Sequence, residues 1–227
     1  MYIDVNQNKL YYEKTGHGTP ILLLHGNGED HTIFDVLISM LKPHYTVYAI
    51  DSRGHGASSP TDSYHYEDMA NDIAELIIDL KIKSPVLYGF SDGGIIGLLI
   101  ALHYPGILSS LIISGANLNP QGMKEEFLEK IKQHFEKTNS PLERLMMEEP
   151  NILPSELKQL QIPVLVLAGE HDIIDPAHTK LIAESIPHAQ LKILPGEDHR
   201  SYIIHSDKLY SYIRDFICNV KYSDIIG

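Results

Sequence analysis

Pro85-Val86-Leu87-Tyr88-Gly89-Phe90-Ser91-Asp92-Gly93-Gly94-Ile95-Ile96-Gly97-Leu98-Leu99-Ile100-Ala101-Leu102 is the stretch that decides the fold. A short apolar run is closed by G-x-S-x-G and followed by a longer apolar run. That order predicts a strand, a sharp turn and a helix, the arrangement of a nucleophile elbow. The turn strains the backbone at Ser91 and projects its hydroxyl from the end of the strand. Strand and helix nearly touch two residues either side of the serine, where only small residues fit. Gly89 and Gly93 meet that need. The helix that follows aims its first N–H groups at whatever the serine attacks. G-x-S-x-G alone also fits a plain glycine-rich loop, so its flanks and its partners must decide.

Working outward, short β-like runs alternate with longer helical ones. Residues 1–5 and 9–14 read as a hairpin joined around Asn6-Gln7-Asn8. Residues 21–24 are continuously apolar, as in a strand buried on both faces. Phe34, Leu37, Ile38 and Leu41 recur at helical spacing, residues 46–50 form the next strand, and Met69, Ile73, Leu76, Ile77 and Leu80 mark an amphipathic helix. Residues 108–114 are another strand. In residues 116–161 the pattern changes. Met123, Phe127, Ile131 and Phe135 recur every four residues among Lys and Glu, and residues 142–149 follow Pro141. This predicts two or three small helices inserted between strands. Strand 164–168, helix 177–186, strand 191–194 and helix 202–217 then resume the alternation. The expectation is an α/β fold, with a mostly parallel central sheet and helices on both faces. Its core is 1–115 and 162–227, with an N-terminal hairpin, and residues 116–161 are a small helical insertion.

Composition narrows the function. The chain has 227 residues, 43% hydrophobic and 21% charged, which suits one globular domain. A formal net charge of −12 argues against nucleic acid and anionic membrane surfaces as partners. Cys218 is the only cysteine, so no intrachain disulfide forms. Residues 1–6 lack the basic and apolar regions of a signal peptide, and the apolar run 93–102 is too short to span a bilayer, so a cytoplasmic protein is expected. No H-E-x-x-H, paired Cys/His spacing, P-loop or dinucleotide fingerprint occurs, so neither metal nor cofactor is expected.

A serine needs an adjacent base, and the base needs an orienting group. Where the nucleophile sits on such an elbow, its acid and then its base follow along the chain. Gly169-Glu170-His171-Asp172 follows one late strand, and Pro195-Gly196-Glu197-Asp198-His199 follows the last. Both lie beyond the carboxyl ends of strands, where open α/β sheets place their sites. His199 would take the serine proton and Asp172 would orient the imidazole. Glu170, Asp175 and Asp198 are rival acids; His171 and His205 are rival bases. The chain holds 13 histidines, so position rather than residue type carries the choice. Acyl transfer also needs N–H donors for the developing oxyanion. One should come from Asp92, the other from the His25-Gly26-Asn27-Gly28 turn, with Asn27 as the donor. His25 reads as a structural hydrogen-bonder or a weak substrate contact. Phe90, Met123, Phe127, Met146 and Met147 are weaker candidates for the pocket wall. The Asp92 carboxylate should disfavour anionic substrates unless Arg53, Arg200 or a protonated histidine pairs with it.

On these residues the chain resembles the α/β-hydrolase superfamily over essentially its whole length. Asp51-Ser52-Arg53-Gly54-His55-Gly56-Ala57-Ser58 is similar to the structural D-x-R-G-x-G-x-S segment of many members. The resemblance implies cofactor-free hydrolysis of a small-molecule acyl substrate, through Ser91, Asp172 and His199. Ester, thioester, amide, lactone and C–C cleavage all remain open. It makes residues 116–161 the cap over the site. Relatives that open epoxides or remove halides carry Asp at the elbow position that Ser91 occupies. Asp92 departs from the apolar residue common after the nucleophile. A ligand-sensing receptor with little turnover is the alternative of another class. Oligomeric state is not legible.

Overall fold

Residues 19–24 go into a strand because both of their faces are covered. Ile21 and Leu23 pack into one hydrophobic cluster and Leu22 and Leu24 into another, all four fully buried. Burying each such side chain contributes roughly 1.5–3 kcal/mol. The same alternation runs through residues 86–90, 110–114 and 164–168. The computed structural model describes the backbone of residues 1–226 and the side chains through residue 220. The elements, in chain order, are β1 (Tyr2–Val5), β2 (Asn8–Gly16), β3 (Thr19–Leu24), α1 (Asp35–Leu41), β4 (Tyr45–Ile50), α2 (Tyr66–Asp79), β5 (Val86–Phe90), α3 (Asp92–His103), β6 (Ser110–Ser114), α4 (Glu125–Thr138), α5 (Pro141–Glu148), α6 (Pro154–Leu157), β7 (Val164–His171), α7 (Pro176–Ser185), β8 (Ala189–Asp198) and α8 (Leu209–Ile226).

The eight strands form one sheet in the order β1-β2-β4-β3-β5-β6-β7-β8. The pairs β1 with β2 and β2 with β4 are antiparallel, and the other pairs are parallel. The expected α/β class and N-terminal hairpin are therefore present. Helices α2, α3 and α7 bury their apolar residues on one face of the sheet, and α1 and α8 bury theirs on the other. Residues 92–100 of α3 are all buried, which explains why this helix is apolar all round rather than amphipathic. No described helix is long and apolar enough to cross a membrane.

Several boundaries differ from those expected from the sequence. The last helix starts at Leu209, not at residue 202. Tyr202 and Ile203 are fully buried, but from a turn; their spacing imitates a helix. The turn closes where His205, at φ 49°, donates its N–H to Ile33 O at 2.8 Å. Strands β7 and β8 run to His171 and Asp198, past the apolar runs that announced them, because their polar ends still pair. Met123 lies ahead of α4 and forms an isolated bridge with Ile174.

Residues 116–161 supply α4, α5, α6 and a short 3-10 turn, and none of them pairs into the described sheet. Met123 and Ile131 form a separate cluster with Ile174, joined by Phe127, Leu128, Met146 and Met147. Leu145, Ile152, Leu157 and Leu160 instead join the main core.

The 51–58 segment is a brace. The Arg53 guanidinium donates to both oxygens of Asp72, at 2.7 and 2.8 Å, and to Asp68 Oδ2 at 3.1 Å. Arg53 and Asp72 are only 6% and 1% exposed. Removing one member of a buried pair leaves the other charge stranded, at a cost of about 3–5 kcal/mol. Arg53→Met should therefore lower unfolding free energy by about that amount in a urea titration. A loss of under about 1 kcal/mol would mean that Asp72 does not depend on Arg53.

Candidate active site

Four strands deliver the singled-out residues to one end of the sheet. Ser91 is the first residue past β5, at φ 51° and ψ −114°. Such a backbone costs a non-glycine residue roughly 1–3 kcal/mol and persists only when its surroundings fix it. Here the Ser91 N–H donates to Ser114 O on β6 at 2.8 Å, and the Ser91 carbonyl accepts from Gly94 and Ile95. A Cβ on Gly89 would stand 2.1 Å from Gly93 O, so strand and helix touch there.

The ends of β7 and β8 set the next two residues side by side. A register irregularity after Gly169 pairs His171 with Asp198. Asp172 and His199 follow directly. His199 Nδ1 lies 2.7 Å from Asp172 Oδ1, and His199 Nε2 lies 3.3 Å from Ser91 Oγ. The second distance is long, as contacts between nucleophile and base commonly are until substrate tightens them. Asp172 is 3% exposed, and its Oδ1 also accepts the Ile174 N–H at 3.0 Å. The rival residues are engaged elsewhere. Asp175 caps α7 through Ala177 N–H, Glu170 accepts from Gly196 N–H, and Asp198 accepts from Arg200 and Ser201 N–H. His205 faces Asp35, and His171 is exposed.

The turn at residues 26–29 lies beyond β3. Gly26 N–H donates to Glu29 Oε2, Gly28 N–H to His55 Nε2, and Glu29 N–H to Gly26 O. That leaves the Asn27 N–H, which has no acceptor among the described residues. The Asp92 N–H, at the first position of α3, is in the same condition, as helix starts leave their first donors open.

Neither arginine that could have cancelled the Asp92 field pairs with it. Arg53 is held by Asp68 and Asp72, and Arg200 by Glu29 at 3.0 Å. The partners of Asp92 are neutral. Tyr66 Oη donates to Oδ1 at 2.8 Å and Asn27 Nδ2 to Oδ2 at 3.0 Å. Burial pushes the Asp92 carboxyl up, against the pull of these two hydrogen bonds. Burial and Asp92 itself push the Tyr66 phenol well up, so it stays a donor.

These residues line a cavity of about 240 Å³. Phe90, Met123, Phe127 and Met146 are on its wall, as expected from sequence. Ile173, Ile174, Tyr66, Asn117, Glu29, Glu149 and Arg200 are there too and were not anticipated as wall residues. Ile173 and Arg200 directly follow Asp172 and His199, so chain adjacency could have found them. Tyr66 and Glu149 come from distant segments and carry no motif. Burial raises the Glu29 carboxyl, opposed chiefly by Arg200.

Two weak candidates need correction. Met147 is not on the wall; it packs in the α4 and α5 cluster, one helical position round from Met146. His25 does not reach the cavity. It is 1% exposed, its Nε2 accepts the Ser52 N–H at 3.0 Å, and its Nδ1 donates to Gly26 O at 2.8 Å. Burial, with His55 beside it, lowers its pKa to about 4, so it holds these bonds as a neutral ring.

Among the described residues, Asp30, His31 and Asp51 are the group whose donor atoms converge as metal ligands would. Those atoms are already bonded within the protein. Asp51 accepts from His31 N–H, the His31 ring and Ala57 N–H, and Asp30 Oδ1 accepts from Thr32 N–H and its hydroxyl.

Gly115, just past β6, is a further residue that sequence reasoning passed over. Its φ is +61°, and a Cβ there would lie 2.6 Å from His199 Cε1. Gly115→Ala should displace the imidazole and lower kcat/KM by about 10- to 100-fold, since small misplacements near the reacting atoms are costly. Steady-state kinetics check this, and undiminished activity would show that the ring position is not set by Gly115.

The chain matches the family model for the alpha/beta hydrolase fold over residues 19–143. It is 30% identical to the human protein Serine hydrolase BPHL over 247 aligned residues, covering 95% of this chain and 85% of that one. It is 28% identical to the AB hydrolase superfamily protein YisY of Bacillus subtilis, covering 91% and 94%. Among solved structures, a thermophilic esterase from Thermogutta terrifontis superposes with a TM-score of 0.81, at 24% identity, over 97% of this chain and 98% of that one. With an elbow, a sheet order and a match of that extent in hand, the chain belongs to the alpha/beta hydrolase fold family and is a hydrolase.

Proposed function

We propose that this protein is a cofactor-independent serine hydrolase that cleaves a small, uncharged carboxylic ester or related acyl compound through an acyl-enzyme. The observation that carries the reading is the line from Ser91 Oγ through His199 to the buried Asp172, opening into the cavity. Ser91 attacks the carbonyl as His199 Nε2 takes its proton. Asp172 holds the ring with Nε2 facing the serine and stabilises the imidazolium. The Asn27 and Asp92 N–H groups receive the oxyanion. His199 then protonates the leaving alcohol, and water repeats the sequence to release the acid.

Residues 116–161 act as the cap, with Met123, Phe127 and Met146 supplying apolar contact for the acyl or alcohol part. Asp92, Glu29 and Glu149 bring three carboxylates to the wall, and its one arginine is already paired with Glu29. A carboxylate a few ångströms from a substrate anion costs about 1–4 kcal/mol, depending on effective dielectric. That is roughly a fivefold to 900-fold discrimination in kcat/KM.

Two assays test the reading. Ser91→Ala should lose more than about 10⁴-fold in kcat on a short alkyl ester. Wild type should prefer that ester over its ω-carboxylate analogue, and Asp92→Asn should narrow the ratio. Retained turnover in Ser91→Ala would overturn the mechanism. Preference for the anionic ester would overturn the charge selection. A wild type that binds esters without repeated turnover would favour a ligand sensor.

A further inference from the structure

We propose that Asn27 and Tyr66 are positioning residues for acyl transfer: their side chains converge on the Asp92 carboxylate and hold the two oxyanion N–H donors in register, while tying helix α5 to the same point. The inference rests on the hydrolase reading above and adds Tyr66 and the Asn27 side chain, which that reading does not use.

The two donors sit on different parts of the chain. Asn27 belongs to a turn between two glycines after β3, and Asp92 opens α3 after β5. Beneath the site, backbone bonds join the two segments: β3 pairs with β5, and Gly93 N–H donates to His25 O at 3.1 Å. The turn's own bonds hold Gly26, Gly28 and Glu29 around Asn27. The Asn27 side chain adds the tie to the other donor's residue, reaching across to Asp92 Oδ2 at 3.0 Å. Tyr66 Oη, from the start of α2, holds the opposite oxygen at 2.8 Å. Asp92 is 5% exposed; its bond to Tyr66 is buried, where water competes little, and its bond to Asn27 is part-buried at the cavity wall. Oxyanion stabilisation demands such fixing, because donors must already stand where charge develops.

The same atoms continue to the cap. Asn27 Nδ2 also lies 3.4 Å from Leu142 O, in the first turn of α5. Tyr66 N–H donates to Glu149 Oε2 at 3.1 Å, just past the other end of that helix. The chain of contacts Leu142, Asn27, Asp92, Tyr66, Glu149 therefore starts and finishes on α5. Seating that helix and placing the donors become one event. Asp92 thus serves through its side chain as an anchor, in addition to the field it exerts on a charged substrate.

The test uses Asn27→Ala and Tyr66→Phe, singly and together. Both keep the Asp92 side chain, Ser91, His199 and both backbone N–H groups. Kinetics are measured on p-nitrophenyl butyrate, with inhibition by an alkylboronic acid, which forms a tetrahedral adduct on an active serine. Each single variant should lose about 10-fold or more in kcat while KM moves less than about threefold, because the bonds matter most when the oxyanion forms. Boronate affinity should fall in step with kcat. The double variant should lose less than the product of the single losses, since the two bonds hold one unit. Tyr66→Phe removes only a hydroxyl, so it decides the matter if Asn27→Ala does not fold. Unchanged kcat in Tyr66→Phe, or lower kcat with unchanged boronate affinity, overturns the inference while the hydrolase reading stands. A wild type that neither turns over the ester nor binds the boronate overturns both.

Discussion

Contact between the end of β5 and the start of α3 is the constraint on which the rest of this structure depends. With Gly93 O pressed to where a Gly89 side chain would begin, the chain can pass from strand to helix only through a residue with positive φ. That residue is Ser91, and its side chain is thereby thrown clear of both elements. The strain is tolerable because β5 is held on both sides, by β3 and β6, and α3 is buried along nine consecutive residues. A central parallel strand with covered faces is the stiffest support this fold offers.

Around that point, the work is divided among neighbouring strands. β3 leads into the turn that offers Asn27, Asp172 directly follows β7, and His199 directly follows β8. None of these depends on a long flexible loop. Asp172 and His199 meet because β7 and β8 stay paired to their last residues. The polar network behind the site is as tightly specified as the apolar core in front of it. Neutral His25 joins the ends of β3 and β4, Glu29 ties its turn to Arg200, and Asp92 collects Asn27 and Tyr66.

The sequence made the central site legible because its parts are local. Gly89 to Gly93 is a contiguous signal, and Asp172 and His199 could be chosen by chain order and by their position after strands. The sheet was legible for a related reason: strands buried on both faces must be continuously apolar. What could not be read was set by contacts between distant segments. Tyr66 looks like one more apolar residue at the head of a helix, and only the fold brings its hydroxyl to Asp92. Glu149 looks like a solvated charge until the end of α5 is brought to the start of α2. Arg53 and Arg200 could have cancelled the Asp92 charge, but each is held by other carboxylates that sequence spacing does not reveal. Met147 and Met146 are adjacent on α5, and their sequence alone does not say which of the two turns toward the cavity. Tyr202 and Ile203 suggested a helix because turn residues can be buried as deeply as helical ones.

The most direct test of the account is to identify the residue acylated during turnover. An aryl dimethylcarbamate serves, because a carbamoyl-enzyme hydrolyses slowly enough to be digested and mapped by mass spectrometry. The account predicts one equivalent of phenol released in a burst, and the carbamoyl group on the peptide that contains Ser91. Inactivation that leaves Ser91 unmodified, or a stoichiometric label on another residue, would contradict it.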